Sequence, residues 1–381
     1  MKRRRPLSSI LVIAGHPRSL VNFRAPLLRA MQESGHRVAA AAPAIERDRL
    51  AVAKLKALGV GCHDIPLSRT GLNPLADMRS LLALVRLLRQ ERPDVVLAYT
   101  MKAVIFGLIA AAISGVPRRY ALITGVGYAF TGPAAGKRKL VRTVAETLYR
   151  AALKRADKVF FQNEDDAALF RRLELVPSGL PVVVVNGSGI DLDQYAPAPL
   201  PSGPTRFLLV ARLLTAKGIR EYAAAAASVA RVHPDVEFHL VGGFDTNPDA
   251  IPAKEVETWQ RDGTLIWHGE VADVRPHIAA SHVYVLPSYR EGTPRSVLEA
   301  MAMGRPIITS DSPGCRETVV DGYNGFLVPP RSVEPLAQAM ERFVTDPGLI
   351  EPMGRHSRIL AESKYDVGKV NARMLRGMEL A

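Results

Sequence analysis

Ser288-Tyr-Arg-Glu-Gly-Thr-Pro-Arg-Ser-Val-Leu-Glu-Ala-Met-Ala-Met-Gly304 follows the apolar run Val283-Tyr-Val-Leu-Pro287. The run reads as a buried strand closed by Pro287. Thr293-Pro294 reads as a helix start, with a hydroxyl N-cap and proline at the first helical position. Gly304 and Pro306 mark its end. The stretch therefore predicts strand, tight loop and short helix, an arrangement whose open helix N-terminus attracts anions such as phosphate.

Two carboxylates punctuate it, Glu291 in the loop and Glu299 on the helix, with seven residues between them. Glu299 is set among Val297, Leu298, Ala300, Met301 and Ala302, so burying it is costly unless something hydrogen-bonds it. An Arg295–Glu299 pair at i,i+4 is the plainer explanation, although arginine preceding glutamate is the weaker orientation. Glu291 reads equally as a solvated loop acid or as a functional group.

Working outward, strand and helix patterns alternate on both sides of this element. Before residue 196 the expected strands are 9–14, 36–43, 60–66, 94–99, 119–123, 158–162 and 182–185. The expected helices are 23–34, 45–58, 75–91, 103–114 and 137–155, with Asn163-Glu-Asp-Asp166 starting another. Ala196-Pro-Ala-Pro-Leu-Pro-Ser-Gly-Pro204 then reads as a linker between domains. Beyond it come strands 206–211, 237–241, 264–268, 283–287, 306–310 and 326–328 and a helix at 218–232. Such alternation predicts two α/β domains, each a doubly wound parallel sheet covered on both faces. Ligands are expected at the carboxyl ends of the strands and between the domains.

In the first domain that rule points to the loops at 15–20, 99–102 and 124–132. Thr124-Gly-Val-Gly-Tyr-Ala-Phe-Thr-Gly132 is glycine-rich and is followed by Lys137-Arg-Lys139. It reads either as a flexible loop with a solvated basic face or as an acceptor-side loop with cations for a pyrophosphate or lipid headgroups. In the second domain, Arg212-Leu-Leu-Thr-Ala-Lys-Gly218 leaves a strand and enters a helix. A guanidinium and an ammonium five positions apart suit one diphosphate; the alternative is a pair of solvated cations.

At 381 residues and 48% hydrophobic, the chain supports two domains with real cores. Cys62 and Cys315 are too few for a disulfide framework and lack metal-ligand spacing. Fifty Lys and Arg against 37 acids give +13 and a pI near 9.9. That predicts attraction to anions without choosing among phosphates, lipids and nucleic acid. Met1-Lys-Arg-Arg-Arg-Pro6 before Leu7-Ser-Ser-Ile-Leu-Val-Ile-Ala14 reads as a basic tag and first buried strand, in preference to a signal peptide. No stretch reaches the roughly 18 apolar residues of a membrane span, 105–116 being the nearest. The expectation is a soluble or peripheral protein.

Glu291 through Ile308 resembles the Glu-x7-Glu signature of family 4 retaining glycosyltransferases, and Ser310 through Val328 resembles their continuation. Arg-x4-Lys at 212–217 resembles their donor-phosphate pair. The resemblance runs from about residue 10 to 360 and implies the GT-B fold, two Rossmann-like domains facing a cleft. It implies an acceptor domain 1–195, linker 196–204, donor domain 205–364 and a C-terminal helix, 365–381, packing back on the first. By position it implies that Arg212 and Lys217 neutralise the donor diphosphate, helped by Gly292, Thr293 and Pro294. Glu299 would accept the ribose hydroxyls and Glu291 those of the transferred sugar, with Gly242 and Leu298 lining the same site.

Retention by front-face attack asks for leaving-group stabilisation and positioning, without a protein nucleophile. The resemblance implies a UDP-sugar as donor substrate, no cofactor and no metal. Acceptor-side candidates are His16, Arg24, Lys102, Thr124 and Gly125. The histidine that many family members carry near a first-domain strand end has no counterpart, Tyr99-Thr-Met-Lys102 standing there. Asn22-Phe23-Arg24, Thr100-Met-Lys102, Ile123 through Gly127 and Ser310 through Cys315 look most like a subgroup extending polyprenyl-diphosphate-linked sugars with UDP-N-acetylhexosamines or UDP-hexoses. That implies a lipid-linked or other glycan acceptor, an anionic membrane surface as partner, no nucleic acid, and a cytoplasmic, peripheral location on the inner face of the cytoplasmic membrane.

Three rivals remain: a GT-B-shaped sugar-nucleotide epimerase, a glycosidase using Glu291 and Glu299, and a non-enzymatic basic protein for nucleic acid or membrane. Paired Arg-x4-Lys and Glu-x7-Glu argue against the first. Two sheet-building halves argue against the second, and the lack of a recognisable nucleic-acid module against the third.

Overall fold

The structure is a computed structural model describing residues 7–68, 73–126, 137–247 and 249–381. The chain divides into two compact units, one of residues 1–188 with 368–381, the other of 189–367.

The first unit runs β1 Ser9–Ile13, α1 Pro17–Glu33, β2 Arg37–Ala42, α2 Arg49–Ala57, β3 Gly61–Asp64, α3 Pro74–Glu91, β4 Val95–Tyr99, α4 Met101–Ile113, β5 Arg118–Ile123, α5 Lys137–Leu153, β6 Lys158–Phe161, α6 Glu164–Arg172 and β7 Val182–Val184. Its strands form one parallel sheet in the order β3-β2-β1-β4-β5-β6-β7. Central β4 is buried at every position, which is why Val-Val-Leu-Ala-Tyr shows no polar alternation. Leu84, Val85 and Leu88 of α3 share one core with α4 and with Tyr149 of α5. Helix α1 packs on the other face.

The second unit runs β8 Arg206–Val210, α7 Ile219–Val232, β9 Glu237–Val241, α8 Ala253–Arg261, β10 Ile266–Trp267, α9 Arg275–Ala279, β11 Val283–Leu286, α10 Arg295–Ala302, β12 Ile307–Ser310, β13 Gly325–Val328, α11 Val333–Thr345 and α12 Ile350–Leu360. Its parallel sheet is ordered β10-β9-β8-β11-β12-β13. In each sheet the strand order reverses once, between β1 and β4 and between β8 and β11. Among the described residues no helix is long and apolar enough to cross a membrane.

A last helix, α13 Val367–Gly377, carries the chain back to the first unit. Three carbonyls at and beyond its C-terminus are anchored there. Tyr120 Oη donates to Met378 O at 2.9 Å and His36 Nε2 lies 3.0 Å from Leu380 O. Lys158 Nζ donates to Gly377 O at 2.5 Å.

Three boundaries differ from the sequence reading. The first helix starts at Pro17, well before residue 23, because His16 caps it by accepting from the Arg18 amide at 3.2 Å. Most of the expected 15–20 loop is therefore helix. Helix α10 opens at Arg295 with Pro294 as N-cap and no side-chain capping bond, so Thr293 is not its cap. Asn163 does cap α6, accepting from the Asp166 amide at 2.7 Å.

The third difference is the proline run 196–204. The division of the chain falls before Gly189, and the run belongs to the second unit. Prolines offer carbonyls without N–H groups, and Arg305 answers them. Its buried guanidinium donates to Ala198 O at 2.8 Å and Pro199 O at 2.9 Å, and also to Ile278 O, Ala279 O and Met303 O. His282 Nε2 lies 3.0 Å from Pro201 O. The run that reads as a linker between domains is thus a strap pinned within the second unit.

Candidate donor and acceptor sites at two strand reversals

In an open parallel sheet the loops on either side of a reversal diverge and leave a crevice at the strands' carboxyl ends. In the second unit those loops follow β8 and β11, and they carry Arg212, Lys217 and Glu291. Gly218 (φ +71°) sits where a Cβ would come within 2.2 Å of Pro287 O. Only glycine allows this approach, and it lays the 212–218 loop on the end of β11. Tyr289 N and Ser288 Oγ both donate to Ala216 O, at 2.9 and 3.0 Å.

Lys217 Nζ is thereby brought into an ion pair with Glu291 Oε1. That oxygen also lies 2.8 Å from Ser288 Oγ and is an alternative acceptor for the same hydroxyl proton. The Glu291 amide donates to Pro313 O at 2.9 Å, which fixes the loop from the β12 side. Arg212 leaves the same loop and places Nη1 2.5 Å from Asp245 Oδ2, its own side chain remaining 54% exposed. Both cations therefore rest on carboxylates that a bound anion can replace. Asp249 Oδ2 holds the loop's shape by accepting from the Ala216 amide at 3.0 Å.

Glu299 is 8% exposed on a helix whose Val297, Leu298, Ala300, Met301 and Ala302 are all buried. Its Oε1 accepts from Tyr195 Oη and from Arg295 Nε, each at 3.0 Å. The i,i+4 pair is thus present. Burial nevertheless holds the Glu299 carboxyl above the ordinary carboxylate range, with Arg295 and Tyr195 opposing it. No hydrogen bond to Oε2 forms among the described residues. Leu298 belongs to the core, and Gly242 ends β9 with its carbonyl accepting from Trp267 Nε1 at 2.9 Å. Gly292, Thr293 and Pro294 form the turn between Glu291 and α10, whose N-terminus no side chain caps. Cys315, buried beneath, has its thiol pushed up to about 12 by burial, leaving it protonated and inert.

In the first unit the corresponding loops follow β1 and β4. A Cβ on Gly15 would lie 2.4 Å from Thr100 Oγ1, so the two loops touch. Thr100 itself has φ +73° and ψ 149°, a strained conformation for a β-branched residue. Ser19 Oγ donates to His16 O at 2.6 Å and lies 2.8 Å from Tyr99 Oη. The Arg24 guanidinium, buried, stands 5.2 Å from the centre of the Tyr99 ring. With the Gln162 amide oriented by its neighbours, its oxygen accepts from Arg24 Nη2 and its nitrogen donates to Thr124 O, both at 3.2 Å.

His16, Arg24, Thr124 and the adjoining Gly125 are therefore gathered at one end of the sheet, together with Ser19, Tyr99, Thr100 and Gln162. Lys102 is not part of this network. Its ammonium pairs with Asp77 at 2.6 Å and donates to Ser68 at 3.0 Å, with 12% of the side chain exposed. One residue into α4, it is turned toward α3. Most of the expected glycine-rich loop, residues 127–136, lies outside the described residues, as does the basic tag 1–6.

Ser19, Tyr99, Gln162, Tyr195 and Asp245 are members of these two sites that sequence reasoning missed. None sits in a recognisable motif, and their spacing to the other members is set by the sheet.

The family model "Glycosyl transferase 4-like domain" matches residues 22–187 and "Glycosyl transferases group 1" matches 204–346. Among curated relatives, the chain is 29% identical over 341 residues to the N,N'-diacetylbacillosaminyl-diphospho-undecaprenol alpha-1,3-N-acetylgalactosaminyltransferase of Campylobacter jejuni, covering 86% of this chain and 87% of that protein. It is 29% identical over 322 residues to the UDP-Gal:alpha-D-GlcNAc-diphosphoundecaprenol alpha-1,3-galactosyltransferase of Escherichia coli, covering 80% of each. Among solved structures, sucrose-phosphate synthase from Thermosynechococcus elongatus superposes with a TM-score of 0.81 at 19% identity, over 97% of this chain and 98% of that one. The fold class is GT-B. With one family model on each unit and both relatives aligned across most of their length, the chain belongs to the group 1, family 4-like glycosyltransferases.

Proposed function

We propose that this glycosyltransferase moves a hexose or N-acetylhexosamine from a UDP-sugar to a polyprenyl-diphosphate-linked glycan, with retention and without a metal ion. It would work as a peripheral enzyme on the inner face of the cytoplasmic membrane, in assembly of a bacterial surface glycan. The acceptor class is taken from the two relatives' names, and the donor nucleotide from the second.

The observation that carries the reading is the convergence of Arg212, Lys217 and Glu291 across the β8/β11 reversal. The donor diphosphate would take the place of Asp245 on Arg212 and of Glu291 on Lys217. Its charge would then be met by a two-point guanidinium and a movable ammonium. Glu291, released from Lys217, would accept hydroxyls of the transferred sugar. Glu299 Oε2 supplies an acceptor for the ribose hydroxyls. In the transfer, the bond from the sugar's anomeric carbon to the diphosphate oxygen breaks and one to the acceptor oxygen forms on the same face. The acceptor's proton leaves with the departing diphosphate.

A thermal-shift screen against UDP, GDP, ADP and their sugar conjugates, run with a chelator, tests this. Binding to the native state raises the melting temperature by mass action. The expected result is a shift with uridine compounds that disappears in Arg212→Ala. A shift that survives that substitution, or one that needs divalent metal, would overturn the site or the metal-free mechanism respectively.

A further inference from the structure

The outward side of α3 has an unusual surface. Leu75, Met78 and Leu82 are 84%, 54% and 62% exposed. They recur at helical spacing on one face, and Arg79, Arg86 and Arg89 stand exposed among and beyond them. The stripe from Leu75 to Arg89 runs about 21 Å at 1.5 Å per residue. Both acids of the helix are turned elsewhere: Asp77 pairs with Lys102 at 2.6 Å, and Glu91 lies 3.7 Å from His63. The opposite face, with Leu84, Val85 and Leu88, fills the core.

We propose that this stripe is the surface by which the protein docks on an anionic lipid bilayer. Leucine and methionine would enter the boundary between headgroups and acyl chains while the three guanidiniums grip lipid phosphates. An amphipathic helix lying in the membrane plane combines these two features. The charge pattern selects this occupant. A second copy of the chain would set three arginines against three arginines, and a nucleic-acid strand would leave the apolar residues in water. The position also fits. Helix α3 follows β3, so its Leu75 end lies at the carboxyl edge of the parallel sheet, where the loops bearing Gly15, Thr100 and Thr124 emerge. Docking there would bring the first-unit site to the lipid surface. The inference rests on the reading that the acceptor is membrane-held.

The test is co-sedimentation of the whole chain with phosphatidylcholine vesicles, with and without phosphatidylglycerol, at low and high salt. Binding is expected only to the anionic vesicles, weakening with salt. Each arginine near such a surface contributes roughly fivefold, so Arg79→Gln/Arg86→Gln/Arg89→Gln lowers partitioning by about a hundredfold. Leu75→Ser/Met78→Ser/Leu82→Ser is expected to lower it at least tenfold. In a separate arm, Leu82→Trp is expected to be quenched by lipids brominated in the acyl chain. Equal binding by wild type and either triple variant, no binding of wild type to anionic vesicles, or an unquenched Trp overturns the proposal, as does a wild-type dimer that the variants dissolve. Sugar transfer to a short-chain, water-soluble acceptor separates the two readings. It should persist in both triple variants, whereas its absence in wild type with vesicle binding intact would count against the proposed function alone.

Discussion

The two sheets reverse strand order in the same way and build different chemistry on it. At β8/β11 the gathered groups are ions, Arg212 on Asp245 and Lys217 on Glu291, with Glu299 buried on the following helix. At β1/β4 the gathered groups are neutral donors and acceptors, Ser19, Tyr99, Thr100 and Gln162, with the buried Arg24 among them. Charge placed to meet a diphosphate suits the first, and positions for sugar hydroxyls suit the second. Strain is also unequally shared, Thr100 being a β-branched residue at positive φ in the first-unit loop. The comparison teaches that topology supplies the crevice and that side chains decide what it holds.

The sharpest way to break this contrast is at the ionic site. Removing one preorganised charge from a transfer site typically lowers kcat by about 100- to 1000-fold. Lys217→Ala and Glu291→Ala are each expected to fall in that range in a single-turnover transfer assay, with the fold retained and the thermal midpoint lowered by loss of the ion pair. Retention of wild-type turnover in either variant would remove the ionic crevice from the chemistry.

Glu299→Gln should weaken UDP binding by about tenfold, the worth of one hydrogen bond to a charged acceptor. It should also shift stability in a pH-dependent way. Burial holds the folded-state pKa of Glu299 above its unfolded value. Its contribution to stability is then fully present below the unfolded value, about 4.3, and is lost as pH rises through the folded value. Relative to wild type, the glutamine variant should gain stability on going from acid to neutral pH and hold that gain above. Denaturant midpoints across that range check the sign, and a flat difference would mean that Arg295 and Tyr195 already offset the burial.

In the first unit smaller effects are expected. Gln162→Leu frees the Thr124 carbonyl and leaves Arg24 without that acceptor, so the acceptor KM should rise roughly fivefold, as for one hydrogen bond of about 1 kcal/mol. The donor KM should stay put, and a change in the donor alone would break the division of labour between the crevices. Smallest of all, Lys102→Met should leave both KM values unchanged and lower stability, since it leaves Asp77 half-buried and unpaired. Loss of acceptor binding in this variant would return Lys102 to the site.

Legibility in the sequence followed the same contrast. Arg212, Lys217, Glu291 and Glu299 stand in two contiguous motifs because each loop is a short continuous segment between a strand and a helix. The first-unit residues come from the ends of β1, β4, β5 and β6 and from inside α1. Positions 19, 24, 99, 124 and 162 have no common spacing, and only the sheet makes them neighbours. Lys102 was misread for the same reason: polarity near a strand end is visible in sequence, but the direction of a side chain one residue into a helix is not. The proline run shows a further limit, since composition marks it as a spacer and only the fold reveals Arg305 beneath it.

By itself the sequence determined that the chain is two parallel α/β sheets, because apolar runs of strand length alternating with helical stripes bury themselves in few other ways. It also singled out Arg212, Lys217, Glu291 and Glu299 as candidates, because their motifs are local. Tertiary structure alone decided which cation meets which carboxylate, that Glu299 is buried against Tyr195 and Arg295, that the proline strap is pinned, and that α3 leaves three apolar side chains exposed. Those outcomes depend on contacts between residues far apart in the chain, and their partners are chosen by sheet order and packing rather than by any local preference of the residues involved.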